Sequence, residues 1–336
     1  MTLEPIEPRQ AVDLYLADRE TEVTQATLYA HSSRLGHLVR WCEEQEITNL
    51  NELTGRKLQE YRLWRRRDGD LSKASEKTQM DTVRVFVKWL EAIDAVEPDL
   101  HTKVRSPTLT GDDNVRSVML DHERATEILS YLSKFEYASR RHVALALAFH
   151  TMMRVGALRA LDVEDYSREE ETIQVVHRPN TGTPIKNKEK GERYVALSGE
   201  ICTLLEDWID NRRTDFTEES GRQPLITTSR GRVHKGTLRG DIYRVTRPCY
   251  ISDECPHDRN LDDCEARSYE SASQCPSSVS PHAVRRGGLT HALANEWPIN
   301  ALGGRADVTP DILEKHYSKV TEHEKMQQRR KYLDRI

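Results

Sequence analysis

Apolar positions over the first hundred residues recur every three or four places, the spacing of helices that bury one face. In "QATLYAHSSRLGHLVRWC", Leu28, Leu35, Leu38, Val39 and Cys42 fall on one stripe. "TGRKLQEYRLWRRR" opens at Thr54, a fitting N-cap, and sets Leu58, Tyr61 and Trp64 on its apolar side. "SEKTQMDTVRVFVKWLEAI" opens at Ser75 and stripes Met80, Val83, Val87, Leu90 and Ile93. With an earlier helix over Ala11 to Arg19, these predict a compact four-helix bundle. The periodicity lapses over Glu97–Arg116, where Pro98, Pro107 and Gly111 interrupt the chain.

Beyond that point the pattern mixes. "LDHERATEILSYL" is expected as a helix capped by Asp121, and "SRRHVALALAFHTMM", almost wholly apolar in its middle, as a central buried helix. Thr172–His177 and Arg193–Ser198 alternate like strands around a turn-rich stretch, which predicts a hairpin. "EICTLLEDWIDNRR" reads as helix and "PLITTS" as a third strand. Three helices close the chain, the last in "TEHEKMQQRRKYLDRI". The fold class is therefore mainly α with a small antiparallel β-sheet (α+β). The domains run 1–100 for the helical bundle, 101–118 for a linker and 119–336 for a larger domain with a Cys-rich insert at 249–275.

Composition narrows the class. A length of 336 residues suits about two domains, and 31% charged residues with a mean hydropathy of −0.73 describe a soluble chain. The longest apolar run, Val143 to Phe149, falls far short of the ~20 residues that span a bilayer. The N-terminus lacks a basic and apolar leader, so a cytoplasmic location without membrane attachment is expected. Fifty Lys and Arg against 55 Asp and Glu give a net charge of −5. That is the wrong overall sign for a simple nucleic-acid binder, although binding depends on local patches. The acidic balance suits a salt-rich cytoplasm.

Four features of the larger domain bear on chemistry: Arg154, the turn lysines Lys186 and Lys188 (with Lys190 beside them), the His282/Arg285 pair, and Tyr317. Singly, each has an ordinary structural explanation: an arginine pairs with a carboxylate, turn lysines are solvated, a late tyrosine fills a core. Together they describe one reaction. A phenol with a pKa near ~10 is a poor nucleophile unless a partner takes its proton and the electrophile's developing charge is already met. Two guanidiniums grip the non-bridging oxygens of a phosphodiester and stabilise a pentavalent transition state. A histidine relays the phenol's proton, and a lysine on a hairpin protonates the leaving 5′-oxygen. The ordered set Arg, Lys, His, Arg, Tyr is a metal-free kit for breaking and rejoining DNA.

"TMMRVGALRALDVEDY", "SPHAVRRGGLTHALANE" (with a later histidine, His291) and "DILEKHYSKV" resemble the two arginine boxes and the nucleophile box of the tyrosine recombinase (phage integrase) family. "TPIKNKEKGERYVALS" and "RPCYISDECPHDR" are similar to haloarchaeal, hence archaeal, integrase-like proteins. The resemblance covers nearly the whole chain. It implies an N-terminal helical core-binding (SAM-like) domain and a tyrosine-recombinase catalytic domain that together form a C-shaped clamp on double-stranded DNA. It also implies a homo-oligomer, usually a tetramer, assembled by exchange of C-terminal helices, and no cofactor for catalysis. Arg154 and Arg285 would clamp the scissile phosphate. His282 would act as general base or hydrogen-bonding partner, and Lys186 or Lys188 would serve the leaving group. Tyr317 would form a 3′-phosphotyrosyl link. Two places depart from the family. Ala157 stands where an acidic residue usually follows the first arginine, so support for Arg154 is expected from Asp162 or Asp165. Arg305 falls where a His or Trp usually stands, and is expected to donate to a phosphate oxygen.

Two further sets complete the reading. Cys249, Cys255, His257, Cys264 and Cys275 crowd into one polar segment of a chain expected to be cytosolic, which favours a structural zinc over disulfides. Arg56, Lys57, Arg62, Arg65, Arg66 and Arg67 on one predicted helix make the most basic patch of the N-terminal domain, a candidate DNA-binding face. Three rival functions share parts of this pattern: a DNA-binding protein of the same fold with weak or lost catalysis, a zinc-dependent transcription regulator, and a type IB topoisomerase.

Overall fold

The computed structural model describes residues 2–110, 118–252 and 254–317, together with Met326 and Arg330. The chain divides into two compact units, Met1–Arg116 and Ser117–Ile336.

Four helices build the first unit: α1 (Pro8–Arg19), α2 (Gln25–Glu44), α3 (Gly55–Asp68) and α4 (Lys73–Ala92). Pro8 occupies the first turn of α1, where its missing N–H costs nothing, so this helix starts earlier than the expected Ala11. Thr54 caps α3 by accepting from the Lys57 amide at 3.2 Å. The cap of α4 is Ser72 rather than Ser75: Ser72 is extended, and its Oγ accepts from the Ser75 amide at 3.3 Å. The expected stripes meet in one core. Leu35, Leu38, Leu58, Val83 and Leu90 pack there around the fully buried rings of Tyr15, Tyr61 and Phe86. Trp41, which the periodicity left out, is buried with them.

The second unit is organised about α6 (Arg140–Thr151), whose apolar middle is buried on all sides as expected. Against it pack α5 (His122–Phe135, capped by Asp121), α9 (Lys235–Val245) and α10 (Pro281–Ala294). The hairpin forms with β2 (Thr172–Val175) antiparallel to β3 (Arg193–Ala196), Ile173 facing Val195. The third strand of this sheet is β1 (Tyr166–Ser167), which pairs with β2. The expected strand at "PLITTS" is reduced to β4 (Thr227–Thr228), which pairs with β5 (Gly231–Arg232) in a separate two-stranded ribbon. The short α7 (Val155–Ala160) precedes β1, and α8 (Gly199–Asp207) follows β3.

A second, smaller core joins α10 to α11 (Ile299–Ala306) and α12 (Pro310–Tyr317) through Met152, Leu289, Leu293, Leu302 and Leu313. Leu313 is 0% exposed, so α12 is anchored on its inner face. Of the expected helix in "TEHEKMQQRRKYLDRI" only Met326 and Arg330 are among the described residues, and part of the expected linker lies outside them. Among the described residues no helix is long and apolar enough to cross a membrane.

Candidate active site

The site begins where α6 stops. Met152 takes a left-handed conformation (φ 54°), which breaks the helix and throws the chain into an extended Arg154 at the N-cap of α7. Arg154 is thereby held at the outside of a tight reversal, its side chain about a third exposed. Arg285 comes from α10 and grips the same reversal: its Nη1 donates to the Met152 carbonyl at 2.5 Å. Its Nη2 also donates to the Asp307 carbonyl at 3.4 Å.

Two glycines explain how α10 comes so close. A Cβ at Gly287 would lie 1.7 Å from the Leu120 carbonyl oxygen, and one at Gly288 would lie 2.4 Å from that of Phe149. Only residues without a side chain let α10 meet α6 and the segment before α5 at this distance. His282 stands three residues before Arg285 in the first turn of α10, exposed, in a helix started by the Ser280 cap and Pro281.

The residue that ties these pieces together is Asp307, which sequence reasoning did not single out. It caps α11 in a left-handed conformation (φ 56°). Its Oδ2 accepts from Arg154 Nη1 in a close ion pair, and its Oδ1 accepts from the Asn187 side-chain amide at 2.8 Å. The expected supports of Arg154 are engaged elsewhere. Asp162 is fully buried and pairs with Arg222 and Arg232 at 2.6 Å each. Asp165 pairs with Arg178 at 2.6 Å. Ala157 is buried and contributes no charge.

Asn187 belongs to the turn of the β2–β3 hairpin. It and Lys188 both have positive φ (71° and 52°), which makes the turn tight and leaves Lys186 and Lys188 exposed on either side of the bound amide. Gly191 closes the turn: a Cβ there would lie 2.6 Å from the Lys186 carbonyl. Arg193 then locks the hairpin to α11, donating from Nε to the Arg305 carbonyl at 2.7 Å and from Nη1 to the Gly191 carbonyl at 2.8 Å. Burial pushes the pKa of Arg193 down. At this depth its carbonyl partners and the Asp307 charge keep a guanidinium in place.

Arg305 is engaged away from Arg154 and Arg285. Its Nη1 donates to the Ala196 carbonyl at 2.7 Å and its Nη2 to the His150 carbonyl at 3.1 Å. Its guanidinium also lies 5.6 Å from the Trp297 ring centroid. It lines an apolar cleft with Phe149, Ile201, His291 and Trp297, and burial lowers its pKa. Position in sequence pointed to the phosphate, whereas the α11 register turns the side chain onto β3. Tyr317 is the last residue of α12, and its side chain lies outside the described residues.

The Cys-rich segment also departs from expectation. Cys249, Cys255 and Cys264 are half-buried free thiols and Cys275 is buried. Among the described residues no three His, Cys, Asp or Glu side chains converge to hold a metal ion, so the expected zinc has no site there. Burial, together with the neighbouring thiols Cys275, Cys255 and Cys264, pushes the Cys249 thiol up, which favours its neutral form. The segment is ordered instead by hydrogen bonds. His257 Nε2 meets Ser277 Oγ at 2.9 Å, Ser278 Oγ donates to the Ala272 carbonyl at 2.9 Å, and Arg247 donates to the Ala266 carbonyl.

The basic face of α3 is largely neutralised within its own unit. Glu76 of α4 receives Arg62 and Arg66, and these partners, the Arg66 hydrogen bond most of all, hold its carboxyl below the usual range against the upward push of burial. Arg65 is buried against Asp68, and Lys57 pairs with Glu52. Arg56 and Arg67 remain exposed with no ion pair among the described residues. The hydrophobic stripe of α4 hid this, because Glu76 sits in its first turn, among residues that read as polar surface.

Residues 119–305 match the model of the phage integrase family, and residues 13–92 match that of the phage integrase N-terminal SAM-like domain. The chain belongs to the phage integrase family. The function that this membership carries is site-specific DNA recombination. Tyrosine recombinases need no cofactor for catalysis. Among solved structures, the chain is similar to the N-terminal domain of a phage integrase/site-specific recombinase from Haloarcula marismortui. That match has 41% identity and a TM-score of 0.30, over 31% of this chain and 99% of the other. It is similar along its length to the Tn1549 transposon integrase in complex with transposon right end DNA, with 16% identity, a TM-score of 0.68, and 97% and 99% of the two chains covered. It is also similar to a lambda integrase dimer bound to a COC′ core site, with 12% identity, a TM-score of 0.60, and 97% and 78% covered. The last two likenesses concern the fold. No curated protein matches the chain.

Proposed function

We propose that this integrase-family chain cleaves and rejoins double-stranded DNA through a 3′-phosphotyrosyl intermediate on Tyr317. One observation carries the reading: Arg154, Arg285 and the lysine-bearing turn, far apart in sequence, all bond to Asp307, three residues before α12. A phosphodiester gripped by Arg154 and Arg285 is an electrophile whose extra negative charge is met in advance. Tyr317 attacks phosphorus, forming the O–P bond as the bond to the 5′-oxygen breaks. His282 takes or relays the phenolic proton, and Lys186 or Lys188 gives a proton to the departing 5′-oxygen, leaving a 5′-hydroxyl. Religation runs the same steps backwards from a 5′-hydroxyl. Every role is filled by a side chain of the protein.

In this reading residues 1–100 form the core-binding domain, 101–118 the linker and 119–336 the catalytic domain. Arg56 and Arg67 are the α3 cations that face phosphates. The enzyme works as a homo-oligomer on its DNA site, in the cytoplasm. The burial of Arg285, only 2% exposed, supports a resting site that opens when DNA binds, because a phosphate must reach this guanidinium. The same burial, with Arg305 turned away, favours as second reading a DNA-binding protein whose cleavage is weak.

Covalent trapping separates the two. The protein is incubated with nicked or phosphorothiolate-bridged DNA that it binds, and denaturation-resistant adducts are scored. An adduct lost in Tyr317→Phe with binding retained establishes the chemistry and the nucleophile. Binding without any adduct establishes the second reading.

A further inference from the structure

On the recombinase reading above, we infer that Asp307 is the positioning carboxylate of the site: it orients Arg154 and, through Asn187, the lysine-bearing turn. Arg154 stands at an extended N-cap with a long side chain, and its own helix supplies only the Ala157 methyl one turn on. A free arginine there loses rotamer entropy when it is fixed on a phosphate. A charge-assisted bond from Nη1 to a fixed carboxylate orients the guanidinium beforehand and leaves its other N–H groups to bind.

Asp307 is built to be fixed. Its amide donates to the Gly303 carbonyl, as does that of Val308 at 3.0 Å. A Cβ at Gly303 would lie 2.8 Å from the Val308 carbonyl, so the end of α11 closes tightly on itself. The carboxylate is 15% exposed and uses both oxygens, one on Arg154 and one on the Asn187 amide. The same residue's carbonyl receives Arg285. A plug that merely occupied the phosphate's place would need to swing out on DNA binding, and this backbone holds it in.

The test is the single-turnover rate of adduct formation on nicked DNA at saturating protein, which reads chemistry in the bound complex. Asp307→Asn suits the left-handed backbone, since Asn tolerates positive φ, and it removes the charge and turns one of the two accepting oxygens into a donor. The rate is expected to fall roughly 10- to 100-fold, with DNA affinity kept within about threefold. Ala157→Glu added to Asp307→Asn supplies a carboxylate one turn from Arg154 and is expected to restore most of the rate. A rate at or above wild type in Asp307→Asn overturns the inference and makes Asp307 an inhibitory plug. Rate, affinity and melting temperature falling together, with no restoration by Ala157→Glu, overturn it in favour of a purely structural role. Absence of an adduct with the wild-type protein would instead defeat the recombinase reading itself.

Discussion

Gly287→Ala is the sharpest probe of how the site is assembled. The added methyl would sit 1.7 Å from the Leu120 carbonyl oxygen and 2.7 Å from its carbon, both backbone atoms. An ordinary contact needs about 3.4 Å or more, so α10 or the 118–120 segment must move by more than an ångström. Neither is free to do so: the Leu120 amide donates to the Ala283 carbonyl at 3.1 Å, and α10 is pinned to α6 by Gly288. Overpacking of this kind costs about 1–3 kcal/mol, more than the gain of up to ~1 kcal/mol from replacing a helical glycine by alanine. The displaced helix also carries Arg285, so a shift of that size is expected to slow adduct formation about 100-fold. Gly304→Ala is the matched control. It is also helical, and nothing lies within 4 Å of the Cβ it would gain. It should be neutral or stabilising by up to ~1 kcal/mol. Urea unfolding followed by fluorescence, with the trapping assay alongside, measures both. Equal stability and equal adduct rates in the two variants would refute the close approach of α10 as the device that seats Arg285.

Asp162→Asn should destabilise the catalytic unit by roughly 3–5 kcal/mol in denaturant titrations, because it strips a buried charge from between Arg222 and Arg232. His142, buried on α6, has its pKa lowered to about 4, with burial as the main cause. A depressed histidine favours the neutral folded form, so its stabilisation is full above pH ~6.5 and is lost as pH falls towards about 4. The loss amounts to about 3 kcal/mol over that window, and His142→Leu should flatten the pH dependence of the melting temperature there. Arg56→Ala and Arg67→Ala should each weaken DNA binding and lower its salt slope by ~1, whereas Lys57→Ala, already paired with Glu52, should do less. With a net charge of −5, stability is expected to rise with salt into the molar range, and a melting temperature independent of salt would count against a salt-rich setting.

What the sequence alone determined is what depends on neighbours within a turn or two. The stripes of α2 and α4, the Thr54 and Asp121 caps, the buried character of α6 and the β2–β3 pairing follow from local periodicity and hydrogen bonding. Even the local rules slipped at the start of α4, where Ser72 rather than the expected Ser75 takes the cap. Tertiary structure decided the partners of charged groups. Arg154 could have met Asp162 or Asp165, both close in the chain, yet its carboxylate comes from a residue 153 positions away. Arg305 lies where a phosphate ligand was expected, and the register of α11 spends it on β3 and Trp297. The basic face of α3 became mostly internal ion pairs once α4 brought Glu76 to it. A long charged side chain can reach in many directions, and only the packing of distant elements, here through Gly287 and Gly288, determines which opposite charge is within bonding distance.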